Sequence, residues 1–191
     1  MKAFWKNPKG EYGYLARQKK LNILYTAIEF GISLLIYITG YVTTHSNKNL
    51  FTIIAILGCL PACKMLVSVI MYCRAKGCSA QSHEAIALHV HTLAQKYDLY
   101  LTSYQKNFQV SHMAIRSHNL IGLTEDPSFD EKACLDHLQS ILKKNGYKDV
   151  SIHIYQKPKD YTGRIDELEK LPAKADEEGA QILHLMENIS L

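Results

Sequence analysis

The sequence has no glycine-rich phosphate loop of either common kind, neither G-x-x-x-x-G-K-[ST] nor G-x-G-x-x-G, and no G-x-S-x-G or H-E-x-x-H. Phosphate cradling, nucleophile-elbow hydrolysis and helical zinc proteolysis therefore have no local signature. Cysteine is sparse, five in 191 residues, and scattered rather than paired as in a disulfide scaffold. Cys73 and Cys78 form a lone C-x4-C with no second pair, which argues against zinc. They fall at the edge of an apolar run, where lipidation stays open as a reading. There is no internal repeat and no low-complexity tract. Charge is scarcest between Leu21 and Cys73, where the chain carries only Glu29, Lys48 and Lys64.

What is present begins with that apolar third. The whole chain is 47% apolar and 21% charged, which is too apolar for a disordered polypeptide. Leu21 to Thr43 and Leu50 to Cys73 are apolar runs, each longer than the ~20 residues needed to cross a ~30 Å hydrocarbon core as helix. Only residues 44–49 join them, so the expectation is a membrane hairpin of two transmembrane helices over 21–74. A cleavable signal peptide fits poorly, because a second span follows directly. Eight Lys or Arg flank the pair (Lys2, Lys6, Lys9, Arg17, Lys19 and Lys20 before it, Arg74 and Lys76 after) against Lys48 in the loop. The positive-inside rule then places both termini in the cytoplasm.

Within the spans Glu29 and Lys64 fall at nearly equal depth in an antiparallel hairpin. An intramembrane charge usually has a partner, so these two are expected to form an ion pair that fixes helix register. Gly31, Ser33, Gly40, Gly58 and Ala62 offer small surfaces for close approach, and Pro61 is expected to kink the second helix.

The basic charge is local. Residues 1–21 hold six Lys or Arg against Glu11, whereas residues 75–191 hold thirteen basic against sixteen acidic residues. A nucleic-acid patch on the larger part is not supported by this balance. Residues 1–20 read instead as a juxtamembrane arm on the anionic inner leaflet, with Lys2, Lys6, Lys9, Arg17, Lys19 and Lys20 facing lipid and Trp5, Tyr12 and Tyr14 at the interface.

Residues 75–191 read as a cytoplasmic α/β domain. Helical spacing of Ile86, Val90 and Leu93 predicts a helix over 79–95. Strands follow over 97–104, 108–115 and 120–124, the last two joined by a turn at 117–119. Ser128 with Glu131 predicts a capped helix whose buried stripe is Cys134, Leu138, Ile141 and Leu142, stopped at Gly146. Residues 150–155 read as a fourth strand, Pro158 and Gly163 bracket a loop, and helices follow over 164–171 and 173–189. The order is α-β-β-β-α-β-α.

That order resembles the restriction-endonuclease-like fold, in particular its nuclease-related domain branch. The stretch Gln109-Val110-Ser111-His112-Met113-Ala114-Ile115, a turn and Leu120-Ile121-Gly122-Leu123 is similar to that branch's second and third strands, within a resemblance spanning about residues 82–156. The family carries an Asp-His pair and then Glu-x-Lys. Here His112 matches, but the acidic positions read Ser111 and Thr124 and the Lys position reads Asp126. The resemblance implies the fold without its catalytic set, since that chemistry needs carboxylates for Mg²⁺ and a Lys. Glu125, Asp126 and Asp130 remain as weak metal candidates, Asp130 being equally a first-turn residue of the helix.

Eight histidines follow residue 75, but no pair has the i, i+4 spacing of a helical zinc site. His112 and His153 could face one another across strands. Cys134 lies on an apolar stripe and reads as core. No motif implies a cofactor or names a catalytic residue. The expectation is a membrane-anchored, non-enzymatic binding or scaffold domain with a protein partner or a homo-oligomeric state. A divergent membrane-tethered nuclease or phosphodiesterase, and an oligomeric channel or transporter subunit using Glu29 and Lys64, are the alternatives.

Overall fold

A computed structural model describes residues 8–46, 48–103, 106–171 and 177–191. The chain forms two compact units, Leu15–Ala75 and the N-terminal segment to Tyr14 together with Lys76–Leu191.

The first unit is a helical hairpin. Helix α1 (Tyr14–Thr44) and helix α2 (Leu50–Arg74) are long and apolar enough to cross a membrane, and only 11% of each one's most apolar stretch is buried in the protein. A core helix of a water-soluble protein would be mostly buried, whereas the apolar side chains of these two are mostly exposed. The helices meet along small residues at seven-residue spacing: Thr26, Ser33 and Gly40 on α1, Ala55 and Ala62 on α2. A Cβ on Gly40 would collide with Phe51, and one on Gly58 would come within 2.8 Å of the Ser33 hydroxyl. Asn49 closes the turn. Its Oδ1 accepts from Thr52 N–H (2.8 Å), and its Nδ2 donates to Gly40 O (3.0 Å) and Ser46 O (2.7 Å). Helix α2 runs unbroken through Pro61.

Glu29 and Lys64 do not pair within this hairpin. Lys64 is exposed, and Glu29 keeps one buried carboxylate oxygen without a hydrogen-bond partner. The reason is helical phase. Lys64 lies two residues beyond the seam residue Ala62, about 200° around the helix, whereas Glu29 lies between the seam residues Thr26 and Ser33. Equal depth does not make two side chains face each other.

The second unit is a three-layer α/β fold. Strands β1 (Ala94–Leu101), β2 (Phe108–Arg116) and β3 (Asn119–Leu123) form an antiparallel meander, and β4 (Ser151–Tyr155) pairs parallel to β3. Helices α3 (Ala80–His89) and α5 (Pro158–Glu169) cover one face, burying Ile86, Tyr161, Ile165 and Leu168 against Ala114, Ile121 and Leu123. Helices α4 (Glu131–Lys144) and α6 (Glu177–Ile189) cover the other, burying Leu138, Ile182 and Met186 against Leu99, Val110, Met113 and Ile152.

Several local expectations are overruled by contacts distant in sequence. Helix α3 ends at His89 rather than near 95, because Glu169 of α5 accepts the backbone N–H groups of His91, Thr92 and Leu93 (2.7, 2.8 and 3.1 Å). Residues that could have continued the helix are thereby turned into the start of β1. Helix α4 is capped by Asp130, which accepts from Ala133 N–H at 3.1 Å, and not by Ser128, which bonds to Asp126. Gly146 takes the left-handed conformation (φ 91°) beyond α4 that the sequence suggests. The segment 158–163 is helix, not loop. Pro158 sits in the first turn, where its fixed φ is already helical and no N–H is needed, and the stripe Tyr161, Ile165, Leu168 packs on the sheet. Expectations for Lys2, Trp5, Lys6, Tyr104 and residues 173–176 lie outside the described residues.

Part of the arm packs on the α/β unit. Lys9 Nζ donates to Ser190 O (2.6 Å), Gly10 O accepts from Tyr97 N–H (2.7 Å), and Tyr12 stacks on His83. This stretch caps the outer edge of β1, beside the bridge from Leu101 to Ser190. An exposed strand edge is a liability that covering removes. Arg17, Lys19 and Lys20 belong instead to the first turns of α1.

Candidate functional site

The most polar part of the α/β unit lies beneath the start of α3. Strands β1 and β2 pair regularly, Tyr97 with His112 and Leu99 with Val110, but Asp98 between them adopts φ 55°. Side chains should alternate faces along a strand. Around Asp98 and Ser111 they do not, because Tyr97 joins the α3/α5 core and His112 meets Tyr161 of α5 there, whereas Leu99, Val110 and Met113 join the opposite core. Asp98 and Ser111 both reach the α3 side, Asp98 to Cys78 and Ser111 to Glu125. Two neighbouring side chains from each strand thus face the same layer.

These groups hold the connector that leads into α3. Lys76 N–H donates to Gln109 Oε1 (3.3 Å), Cys78 N–H to Asp98 Oδ1 (2.7 Å) and Ser79 N–H to Glu125 Oε2 (2.9 Å). Three side chains from three strands or strand ends therefore accept backbone donors within four residues. Gly77 lies so close to Asp98 that a Cβ there would stand 3.0 Å from its carboxylate.

Glu125 follows β3 and is saturated with donors. Oε1 accepts the hydroxyls of Ser79 and Ser82 (each 2.6 Å); Oε2 accepts Ser79 N–H (2.9 Å) and the Ser111 hydroxyl (3.1 Å). Burial pushes its pKa up, but the bonds from Ser79, Ser82 and Ser111 outweigh it and hold the carboxyl below its ordinary value. Four donors to one carboxylate leave its lone-pair positions occupied, and a metal ion would have to displace hydroxyls to bind there.

A row of aromatic rings continues inward. Tyr12 stacks on His83 at 3.9 Å, His83 stands 5.2 Å from Tyr97, Tyr97 4.3 Å from His112 and His112 5.7 Å from Tyr161. With the His112 proton on Nε2, that nitrogen donates to Gln95 Oε1 (2.8 Å) and Nδ1 accepts from the Tyr161 hydroxyl (2.6 Å). Burial, with a smaller effect from His83, pushes the His112 pKa down to about 3. Burial raises the Cys78 thiol to about 12, and the Glu125 and Asp98 charges add to it. A protonated buried thiol is a poor nucleophile. Tyr97 is likewise raised to about 12, by burial and then by Cys78.

A cleft of about 390 Å³ opens beside Glu125, lined by Ser79, Ser82, His89, Lys159 and Thr162 among others. His89 Nδ1 is held at 2.7 Å from Asp166.

The three acidic metal candidates are not brought together. Glu125 is bound by serines, Asp126 accepts the N–H and hydroxyl of Ser128 (2.9 and 2.8 Å) in a local turn, and Asp130 caps α4. Among the described residues no group of three or more His, Cys, Asp or Glu side chains is arranged to hold a metal ion. His112 is buried against Tyr161, whereas His153 is exposed on β4, so the two do not meet. Cys134 is buried in the α4 core cluster, its thiol raised to about 12 by burial and by Asp130 and Glu131. Sequence reasoning missed Asp98, and it offers Ser79 and Ser82 only as candidate caps of α3, which Ser79 is, not as donors to Glu125. The signal for Asp98 was present, a charge in mid-strand between Tyr97 and Leu99.

Compared with known proteins, the chain matches no family model, no curated protein and no solved structure.

Proposed function

We propose that this is an integral membrane protein whose hairpin anchors a non-enzymatic binding or scaffold domain at the cytoplasmic membrane face. Membrane insertion is supported by the length and apolar composition of α1 and α2 and by their exposed side chains. Orientation is supported by the Lys and Arg excess at the terminal ends of the two helices over Lys48 in the loop. Arg17, Lys19, Lys20 and Arg74 lie toward the ends of α1 and α2 remote from the loop, where they would meet anionic headgroups.

One observation carries the non-enzymatic reading. The α-β-β-β-α-β order favours descent from a nuclease-related domain fold, and in such a fold the region of Ser111 and Glu125 would hold the metal. Here the Ser79, Ser82 and Ser111 hydroxyls and Ser79 N–H surround Glu125, and Asp98 accepts Cys78 N–H. The carboxylates of the region solvate the protein's own connector. On this reading a clamp on the connector stands in place of a cation site, and the domain's task is to engage a partner.

Calorimetric titration of the full-length protein in nanodiscs with Mg²⁺ and Mn²⁺, beside phosphodiester hydrolysis assays, tests this. No saturable binding and no hydrolysis is the expected result. Metal-dependent hydrolysis abolished by Glu125→Ala would replace this reading with the divergent nuclease.

A further inference from the structure

Lys64 poses a problem that the single chain does not solve. It is exposed on α2, beside the exposed Leu60 and Val67, on the side turned away from α1. Glu29 is the other ionisable carboxylate or amine well inside the pair, half-buried at the flank of the seam with an unpartnered oxygen. Counted from the loop, Glu29 is fifteen residues from Thr44 and Lys64 fourteen from Leu50. At 1.5 Å per residue both stand about 21–23 Å from that end, in hydrocarbon if the loop marks the opposite surface. A lone ammonium there is costly, and such charges pair.

We propose that the partner of Lys64 is Glu29 of a second copy of this chain. A two-fold axis along the membrane normal preserves depth. The depth match within one hairpin therefore becomes a match between Lys64 of each copy and Glu29 of the other. Phase allows it as well, because Lys64 points outward and Glu29 lies at the edge of the seam rather than at its centre, where a change of side-chain rotamer turns its buried oxygen toward the second copy. Each hairpin presents one cation and one anion, so the contact is self-complementary and closes as a dimer with two ion pairs. The result is a four-helix bundle in which α1 of one copy lies beside α2 of the other. This rests on the reading that the hairpin crosses a bilayer.

The test uses the full chain in nanodiscs or mild detergent, with mass measured under native conditions and two distinguishable affinity tags. The wild type is expected as a dimer. Lys64→Glu alone and Glu29→Lys alone bring like charges together at both contacts and should weaken self-association at least about tenfold. Mixed together, these two variants form a heterodimer in which both contacts are again opposite in charge, so each tag should recover the other chain. Lys64→Met, which leaves the seam untouched, should shift the protein toward monomer even if the Glu29 variant misfolds. A wild-type monomer in bilayer, or a Lys64→Met protein that dimerises like wild type, overturns the proposal. Recovery of the wild type in the aqueous phase without detergent would instead overturn the membrane reading itself.

Discussion

Glu125→Ala separates a structural carboxylate from a functional one, because the two roles change stability in opposite directions. The substitution removes the acceptor that the hydroxyls of Ser111 and Ser82, 0% and 4% exposed, have among the described residues, and it frees Ser79 N–H at the start of α3. A buried hydroxyl left without an acceptor costs about 1–3 kcal/mol. Ser79 is exposed and loses little, and the neighbouring cleft admits water to Ser82, so the total belongs near the lower end, about 3 kcal/mol. For an α/β unit of this size that corresponds to a fall of about 10 °C in Tm. Glu125→Gln keeps one acceptor oxygen but turns an amide N–H toward Ser79 N–H or Ser111, and should cost about half as much. The assay is thermal unfolding of the full-length protein in nanodiscs, with hydrogen exchange read over residues 76–82 and 109–112. The amides of Cys78 and Ser79 are expected to exchange about 100-fold faster in Glu125→Ala. A carboxylate retained for metal chemistry strains its surroundings, and removing it leaves stability unchanged or raised. An unchanged or higher Tm in both variants would refute the clamp and return Glu125 to the list of ligands.

Acid should weaken the α/β unit in two stages. His112 is neutral in the fold with a pKa near 3, so the unfolded chain binds more protons between pH 3 and about 6.5, and stability falls on the order of 1 kcal/mol per pH unit as pH drops through that window. Glu169 is a depressed carboxyl; burial opposes its ionisation, but bonds from Thr92, His91 and Leu93 bring it to about 2. Its contribution is present above about 4.5 and lost between there and 2. Unfolding followed against pH should show the first slope abolished in His112→Gln and the second in Glu169→Gln. In the hairpin, Gly40→Leu forces a side chain into Phe51 and should splay the loop ends of α1 and α2. Spin-label distances between positions 43 and 50 should lengthen in that variant and stay unchanged in Gly31→Leu, whose position has open space around it.

Much of the architecture is legible in the residues themselves, where the deciding physics is short-range. Two apolar runs with one charge each, strands rich in β-branched and aromatic residues, and Gly146 beyond a capped helix depend on neighbours within a turn or two. They placed the paired apolar helices and the α-β-β-β-α-β order. Boundaries set by distant groups were not legible. The end of α3 depends on Glu169, nearly eighty residues away, and the helical state of 158–163 depends on the apolar face that Tyr161 and Ile165 bury.

The candidate site divides in the same way. Sequence by itself determined which acidic residues exist near β3 and that Ser111 and Thr124, not acids, stand on β2 and beyond β3. Only tertiary structure decided that Ser79, Ser82 and Ser111 converge on Glu125, that Asp98 turns to the α3 side through a positive φ, and that Lys9 serves the β1 edge. Hydrogen-bond partners are chosen by proximity in space, and sequence separation carries almost no information about it. The same distinction governs Glu29 and Lys64. Their common depth follows from counting residues along two helices, but whether they face each other is a matter of rotation about the helix axes, which the packing of Ser33 against Gly58 sets.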